Sequence, residues 1–247
     1  MLRGFWKLTW VETKIFVREP MGVIATLGFP VIIFIVLVRM LGGSRATAGA
    51  QAPLPFNVAV LAALLIAVSA VISLVAIISI YREGGILKRL RATPLSPVTI
   101  LSAQVLIKLV FTVIGLALMV LAGRRLFPGV IEVNLLSFTV ALMLSTLSIL
   151  SLGFVIASVV PTARFAQPIT AAILYPMVAL SGLFFPLDRL PRALRLFARG
   201  LPTTHAVSLM QGVWDGSGWS AHWGSALALL VLLAACTVLS VRVFRWE

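Results

Sequence analysis

Six mostly apolar runs, at approximately residues 21–41, 57–80, 98–122, 134–160, 167–187 and 222–242, constrain this chain more than any motif does. A hydrocarbon layer of roughly 30 Å is crossed by about 20 such residues in a helix, and each run meets or approaches that length. Of all residues, 61% are hydrophobic and 11% charged, against about 45–50% and about 25% in ordinary soluble domains, which excludes a soluble core. The expected fold is all-α: a polytopic membrane protein of six transmembrane helices forming one domain over residues 1–247. The first run follows mixed residues and has no small-residue cleavage site, so it is expected to stay in the mature protein.

The formal net charge of +13 invites a nucleic-acid reading. The charges sit between apolar runs, however, where they serve topology and contact with anionic lipid. With the N-terminus inside, eleven basic residues of the flanks and loops fall on the cytoplasmic side and seven on the other. That imbalance places both termini in the cytoplasm. The exception is the fifth loop, whose Arg189, Arg192, Arg195 and Arg199 would lie outside. It is read as structured protein, because long connections follow the charge rule poorly. Cys236 is the single cysteine, so no intramolecular disulfide is possible.

Residues 1–20 read as an amphipathic helix lying in the membrane interface. At helical spacing Arg3, Lys7, Lys14 and Arg18 share one stripe, while Phe5, Trp6, Phe16 and Val17 cluster on the other side. The basic stripe can face lipid phosphates with Trp6 and Trp10 at headgroup depth. A juxtamembrane anchor and a lever on a neighbouring subunit are both open readings. Between the second and third runs stands an elbow, Tyr81-Arg82-Glu83-Gly84-Gly85-Ile86-Leu87-Lys88-Arg89-Leu90-Arg91-Ala92-Thr93-Pro94. Its glycine pair releases the chain, Ile86, Leu87 and Leu90 form a small apolar face among basic residues, and Pro94 and Pro97 end the element. A loop that only fixes topology explains the basic residues but not the glycine start or the proline stop.

Residues 187–213 are divided by Pro191 and Pro202, with Leu190, Leu194 and Phe197 at helical spacing beside the arginines. Two short amphipathic helices at the outer surface fit that pattern, and a solvated loop with snorkelling arginines is the alternative. Lys108 lies well inside the third run, where it must face protein, water or headgroups. It could touch substrate or snorkel to the cytoplasmic interface. Ser145, Ser148 and Ser151, like Ser69 and Ser73, form polar stripes of the kind that serve close helix packing. Pro168 and Pro176 should kink the fifth run beside Tyr175.

The stretch Arg82 to Ser96 resembles the loop signature of ABC-2 type transporter permeases, the membrane subunits of ATP-driven exporters. The resemblance extends over nearly the whole chain, including the N-terminal helix, six spans and Ser181-Gly182-Leu183-Phe184-Phe185-Pro186-Leu187 with its proline-rich sequel. It implies that residues 82–94 form a coupling helix seated in a nucleotide-binding subunit, with contact roles for Arg82, Glu83, Gly84, Gly85, Leu87, Lys88, Arg89 and Arg91. It also implies that the helices of 187–213 re-enter the outer leaflet as part of an exit gate. Read from the residues themselves, Tyr175 beside the proline kink, Phe184, Phe185 and Lys108 are candidate pathway or gate residues. Two ABC ATPase subunits, a second permease copy or close relative, and membrane lipid are the implied partners. No nucleic acid is among them. This chain would bind no cofactor or metal of its own, ATP and Mg belonging to the partner ATPase. The implied location is the cytoplasmic (inner) membrane of a prokaryote. Inward-facing apolar side chains suggest an amphiphilic cargo, such as a lipid, drug or lipid-linked glycan. One departure is Gly85-Ile86, which stands where family members commonly carry Gly-Thr.

No Gly-x-x-x-x-Gly-Lys-Ser/Thr phosphate loop occurs, so the chain is not expected to hydrolyse ATP itself. His205, Asp215 and His222 lack the His-Glu-x-x-His spacing of a metal site. Apart from Lys108 and Arg39 the spans carry no charges, which disfavours proton- or sodium-coupled transport. A membrane scaffold or channel without an ATPase and a membrane-embedded enzyme remain as alternatives. They would be told apart by tolerance to charge reversal in the elbow and by loss of activity on alanine substitution at His205, Asp215 and His222.

Overall fold

The computed structural model describes residues 2–48, 57–85, 97–126, 134–160 and 162–243, and the regular elements among them are all helical. In chain order they are α1 (Leu2–Arg18), α2 (Pro20–Val23), a wide π turn (Ile24–Gly28), α3 (Phe29–Ala48), α4 (Val58–Glu83), α5 (Pro97–Leu126), α6 (Leu135–Val159), α7 (Ala163–Ala179), a short 3-10 turn (Leu187–Arg189), α8 (Arg192–Arg199), α9 (Pro202–Trp214), α10 (Gly218–Ala221) and α11 (Trp223–Val243). Asparagines start two of the long helices. Asn57 accepts from the Val60 N–H at 3.1 Å and Asn134 from the Ser137 N–H at 3.2 Å, each satisfying a donor that the first turn leaves free.

Among the described residues four helices are long and apolar enough to cross a membrane: Val58–Glu83, Leu101–Arg125, Leu135–Val159 and Trp223–Ser240. The other two expected spans differ from the sequence reading. The first is α2 and α3 joined through the π turn, its apolar part being the shorter Ile24–Met40. The fifth, expected over 167–187, is the 17-residue α7, which stops at Ala179. Beyond it Gly182 takes φ +85°, a left-handed conformation that glycine adopts without penalty and that ends helical progress. Residues 180–186 are therefore turns rather than a continuation of the span.

The core gathers around α4, which is apolar all round and buried over most of its length, as a central helix must be. It packs against α3, α5, α6, α7 and α9. The α4–α6 approach is close because Gly153 faces it: a Cβ there would stand 2.8 Å from Val71 Cγ1. Val71 is β-branched and cannot swing aside. Gly153→Ala is thus expected to cost about 1–3 kcal/mol, read as a lowered midpoint of thermal unfolding in detergent. On the other side of α6, Ser148 Oγ donates to Leu229 O of α11 at 3.0 Å, an interhelical bond of the packing kind that the serine stripe suggests.

Both short helices expected within 187–213 are present, but only one is superficial. In α8 just Ala198 is buried, while Leu196 and Phe197 are 75% and 60% exposed. By contrast, α9 is sunk against α4, α6 and α11, burying Pro202, Thr203, Thr204, Ala206, Val207, Leu209, Met210, Gly212 and Val213. The expectation of two surface helices is corrected to one. The arginine spacing that marks α8 does not continue into α9, whose polar residues are small enough to bury when bonded, as Thr203 Oγ1 is to Met177 O at 2.8 Å.

Candidate functional site

The elbow's last described residues, Arg82 to Gly85, are fixed by hydrogen bonds that reach two other helices. Helix α6 ends at Val159, leaving carbonyls without helical partners. The Arg82 guanidinium donates to Ala157 O at 3.1 Å, weakly to Ser158 O at 3.5 Å, and to Val160 O. A cation on a helix C-terminus also complements its dipole. The next residue does the converse. Glu83 Oε2 accepts from the Ala163 N–H at 2.7 Å, at the first turn of α7, where Thr162 makes no side-chain cap of its own. Two adjacent side chains of opposite charge thus clamp the α6–α7 connection to the end of α4. Gly84 N–H donates to Ile80 O at 2.9 Å, and Gly85, at φ +65°, turns the chain out of the helix. Leu87, Lys88, Arg89 and Arg91 lie outside the described residues.

Helix α1 packs on α5, and two polar residues, Glu12 of α1 and Lys108 of α5, are turned inward. Glu12 is only 8% exposed and accepts from Tyr81 Oη–H at 2.5 Å. Phe16 stacks on Phe111 with 4.4 Å between ring centroids. Lys108, 1% exposed, lies with its ammonium 4.5 Å from the Phe16 ring centre and donates to Ser73 Oγ at 2.7 Å. The Phe16 ring face attracts the cation. Glu12, Tyr81, Gln104 and Lys108 line one cavity of about 160 Å³ together with Glu19, and the Gln104 amide nitrogen has no hydrogen-bond partner there. Lys108 therefore does not snorkel. It reaches sideways to α4, because a hydroxyl and an aromatic face lie nearer than the end of the helix.

Beyond Ser73 opens a larger cleft of about 440 Å³ between the π turn, α4 and α7. Its apolar wall includes Phe29, Leu65, Val68 and Ile72, and its polar groups are Glu19, Thr26, Ser69, Ser73, Gln167 and Tyr175. Ser69 Oγ bonds Ile66 O at 2.9 Å and Thr26 O at 3.2 Å, so its hydroxyl is occupied with backbone. A mixed wall of this kind suits a molecule with a polar end and an apolar body.

Comparison with known proteins decides the family. The ABC-2 type transporter model matches residues 3–214. The chain belongs to the ABC-2 type transporter family. Its similar curated relatives include the inner membrane transport permease YhhJ of Escherichia coli (strain K12) and its namesake in Shigella flexneri, each 27% identical over 169 residues. The alignment takes in 66% of this chain and 44% of either relative, so the chain spans less than half their length. Family, apolar helices and relatives together make it a multi-pass membrane protein.

Within this ABC-2 family member the residues singled out from sequence fall into separate places. Tyr175, 53% exposed, is on the cleft, and Lys108 meets the cleft wall from behind through Ser73. Phe184 and Phe185 do not join them: they follow the end of α7, Phe184 against the core and Phe185 64% exposed. On α1, Lys7, Lys14 and Arg18 are exposed with Trp6 and Trp10 at 60% and 71%; Arg3 shares their helix. His205 bonds the Arg199 carbonyl at 2.9 Å, tying α9 to the end of α8. No group of three potential metal ligands occurs among the described residues. Sequence reasoning missed Glu12, Glu19, Ser73 and Gln104 as parts of a site. Glu12 carried a readable signal, as an acid set opposite the basic stripe of its own helix.

Proposed function

We propose that this chain is the membrane-spanning permease subunit of an ATP-driven exporter, working as a pair with a second copy or close relative. Two ABC ATPase subunits would bind ATP and Mg and supply the energy. Six spans are completed by α2 with α3 and by α7, short apolar segments that fit the layer through flanking side chains and local thinning. Both termini lie in the cytoplasm of a prokaryotic cell, and α1 rests in the inner leaflet with its basic side chains toward lipid phosphates. The exposed Leu196 and Phe197 of α8 suit contact with the outer leaflet or a gate.

The observation that carries this reading is the clamp at Arg82 and Glu83. An ATPase pushing on residues 86–94 would act on a point already tied to the ends of α4, α6 and α7. Displacement there would move all three helices and change the cleft between α4 and α7. States that differ in those contacts give nucleotide binding a means of shifting the population. The cleft's mixed lining supports an amphiphilic cargo, and the transport permease relatives support transport as the activity.

Co-expression with ABC ATPases from the same organism tests the proposal. Wild type is expected to co-purify with one of them, and Leu87→Asp and Arg89→Glu to weaken that association at least tenfold, about 1.4 kcal/mol, while the chain still inserts. Folded protein that binds no ATPase, or binding untouched by both substitutions, would remove the elbow from the mechanism.

A further inference from the structure

Where the 180–188 turn crosses α9 there is a second polar cavity, of about 380 Å³, that the transport reading leaves unused. One wall is a one-way chain of hydrogen bonds. Ser217 Oγ donates to Gly212 O at 2.9 Å, so what it offers His222 Nε2, 3.2 Å away, is a lone pair. That places a proton on Nε2, while Nδ1 lies 3.1 Å from Ser208 Oγ, which accepts from Ser225 Oγ at 3.1 Å. Both ring nitrogens are engaged, and the ring lies so close over Gly212 that a Cβ there would collide with it. His222 is a fixed wall, neither a free base nor a ligand for metal.

The other wall is unspent. Thr204 is 5% exposed, lines the cavity, and its hydroxyl has no hydrogen-bond partner. Buried hydroxyls are ordinarily satisfied, so an unfilled one beside a cavity asks for a partner from outside the chain. The Gln211 amide and the Asp215 carboxylate line the same space, and neither side chain has a partner among the described residues. The set therefore offers a hydroxyl, an amide and a carboxylate, a mixture of donors and acceptors.

Charge narrows the ligand. Among the described residues no Lys or Arg lines the cavity, and Asp188 and Asp215 do, which disfavours an anion. Asp188 is turned toward Arg195, 3.9 Å away, whose guanidinium also donates to Asp188 O at 2.5 Å. Arg189, Arg192 and Arg199 stand on the same short stretch, which disfavours a polyvalent cation. The volume falls within the ~300–1,000 Å³ of small-molecule sites. We propose that this cavity binds a neutral hydroxyl-rich group, a sugar or polyol ring, with vicinal hydroxyls on Asp215 and Gln211 and one hydroxyl bonded to Thr204. The site stands independently of the exporter reading, since it needs neither nucleotide nor ATPase to be occupied.

Saturation-transfer NMR on the purified full chain, in nanodiscs whose lipids carry no sugar headgroup, tests it. The probes are methyl β-glucoside, methyl β-galactoside and N-acetylglucosamine, each to about 10 mM, a range that reaches weak millimolar binding. Saturation transfer to at least one is expected. Thr204→Val, which keeps the shape and deletes the hydroxyl, should weaken it at least tenfold without lowering the thermal unfolding midpoint. Asp215→Asn, an exposed change that leaves the fold alone, should weaken it in the same direction. Octyl β-glucoside distinguishes the sources. Binding at least tenfold tighter than the methyl glycoside, and equally dependent on Thr204, assigns a glycolipid headgroup, whereas equal binding assigns a free sugar. No transfer from any probe, transfer unchanged in both variants, or displacement by putrescine or inorganic phosphate overturns the proposal.

Discussion

Arg82→Ala is expected to lower the stability of the chain by about 2–4 kcal/mol, because it strips donors from the Ala157 and Val160 carbonyls, which take no other hydrogen bond among the described residues. Hydrogen bonds to a charged group contribute about 1.5–3 kcal/mol each, discounted here because Arg82 is half-buried and its contact with Ser158 is long. Val160 is 2% exposed and Ala157 fully buried, so water cannot readily replace the guanidinium at either carbonyl. Near a membrane the cost of an orphaned carbonyl rises further. Arg82→Lys should fall between wild type and alanine, since an ammonium keeps the charge but cannot fork across two carbonyls. Glu83→Gln should cost less, about 0.3–1 kcal/mol, because an amide oxygen can still accept from Ala163 N–H and only the interaction of charge with the α7 dipole is lost. Thermal unfolding in detergent of the three variants measures the order. If Arg82→Ala unfolds with wild type, the clamp is not a structural bond, and the proposal that it transmits force falls with it.

The clamp also shows what a sequence of this kind conceals. Apolar runs announce helices, because the length needed to cross lipid is fixed by geometry, and α4, α5, α6 and α11 lie close to the runs that indicate them. Where the chain must stop is decided by single residues instead. The apolar run at 167–187 continues past Ala179, but Gly182 at φ +85° takes the chain into a turn, so hydropathy overestimates α7 by eight residues. Burial is harder still to read from spacing. α8 and α9 share a proline-divided segment, yet α9 is buried because neighbours from α4, α6 and α11 surround it. Arg82 and Glu83 stand out in sequence as charges beside a glycine pair, which suggests a surface. Their bonds reach residues about 80 positions away, and no local pattern records partners at that separation.

The same long range governs the polar cluster at α1, where Glu12→Gln is expected to destabilise the chain more than the double substitution Glu12→Gln with Lys108→Met. Lys108 is 1% exposed, and its charge is met by one hydroxyl, one aromatic face and the Glu12 and Glu19 carboxylates around the small cavity. Deleting the Glu12 charge leaves the buried ammonium with Glu19 as the remaining carboxylate on that cavity among the described residues, so the cost stays below the about 3–5 kcal/mol of an uncompensated buried charge. Methionine fills a similar volume without a charge to solvate, so the double variant removes the problem together with its cause. Ser73 loses its donor in that variant, but it borders the cleft, where water can replace the bond. Lys108→Met alone is intermediate, because Glu12, although only 8% exposed, keeps the Tyr81 hydrogen bond. A double-mutant cycle on unfolding midpoints should therefore give a coupling of about 1–3 kcal/mol, and Tyr81→Phe in the Lys108→Met background should deepen the loss by freeing the carboxylate from its last donor. Strictly additive single variants would mean that the two charges ignore one another. α1 would then be held to α5 by the Phe16 and Phe111 stack and its apolar neighbours alone, and the basic stripe of α1 could shift along the membrane surface without disturbing the wall of the cleft at Ser73.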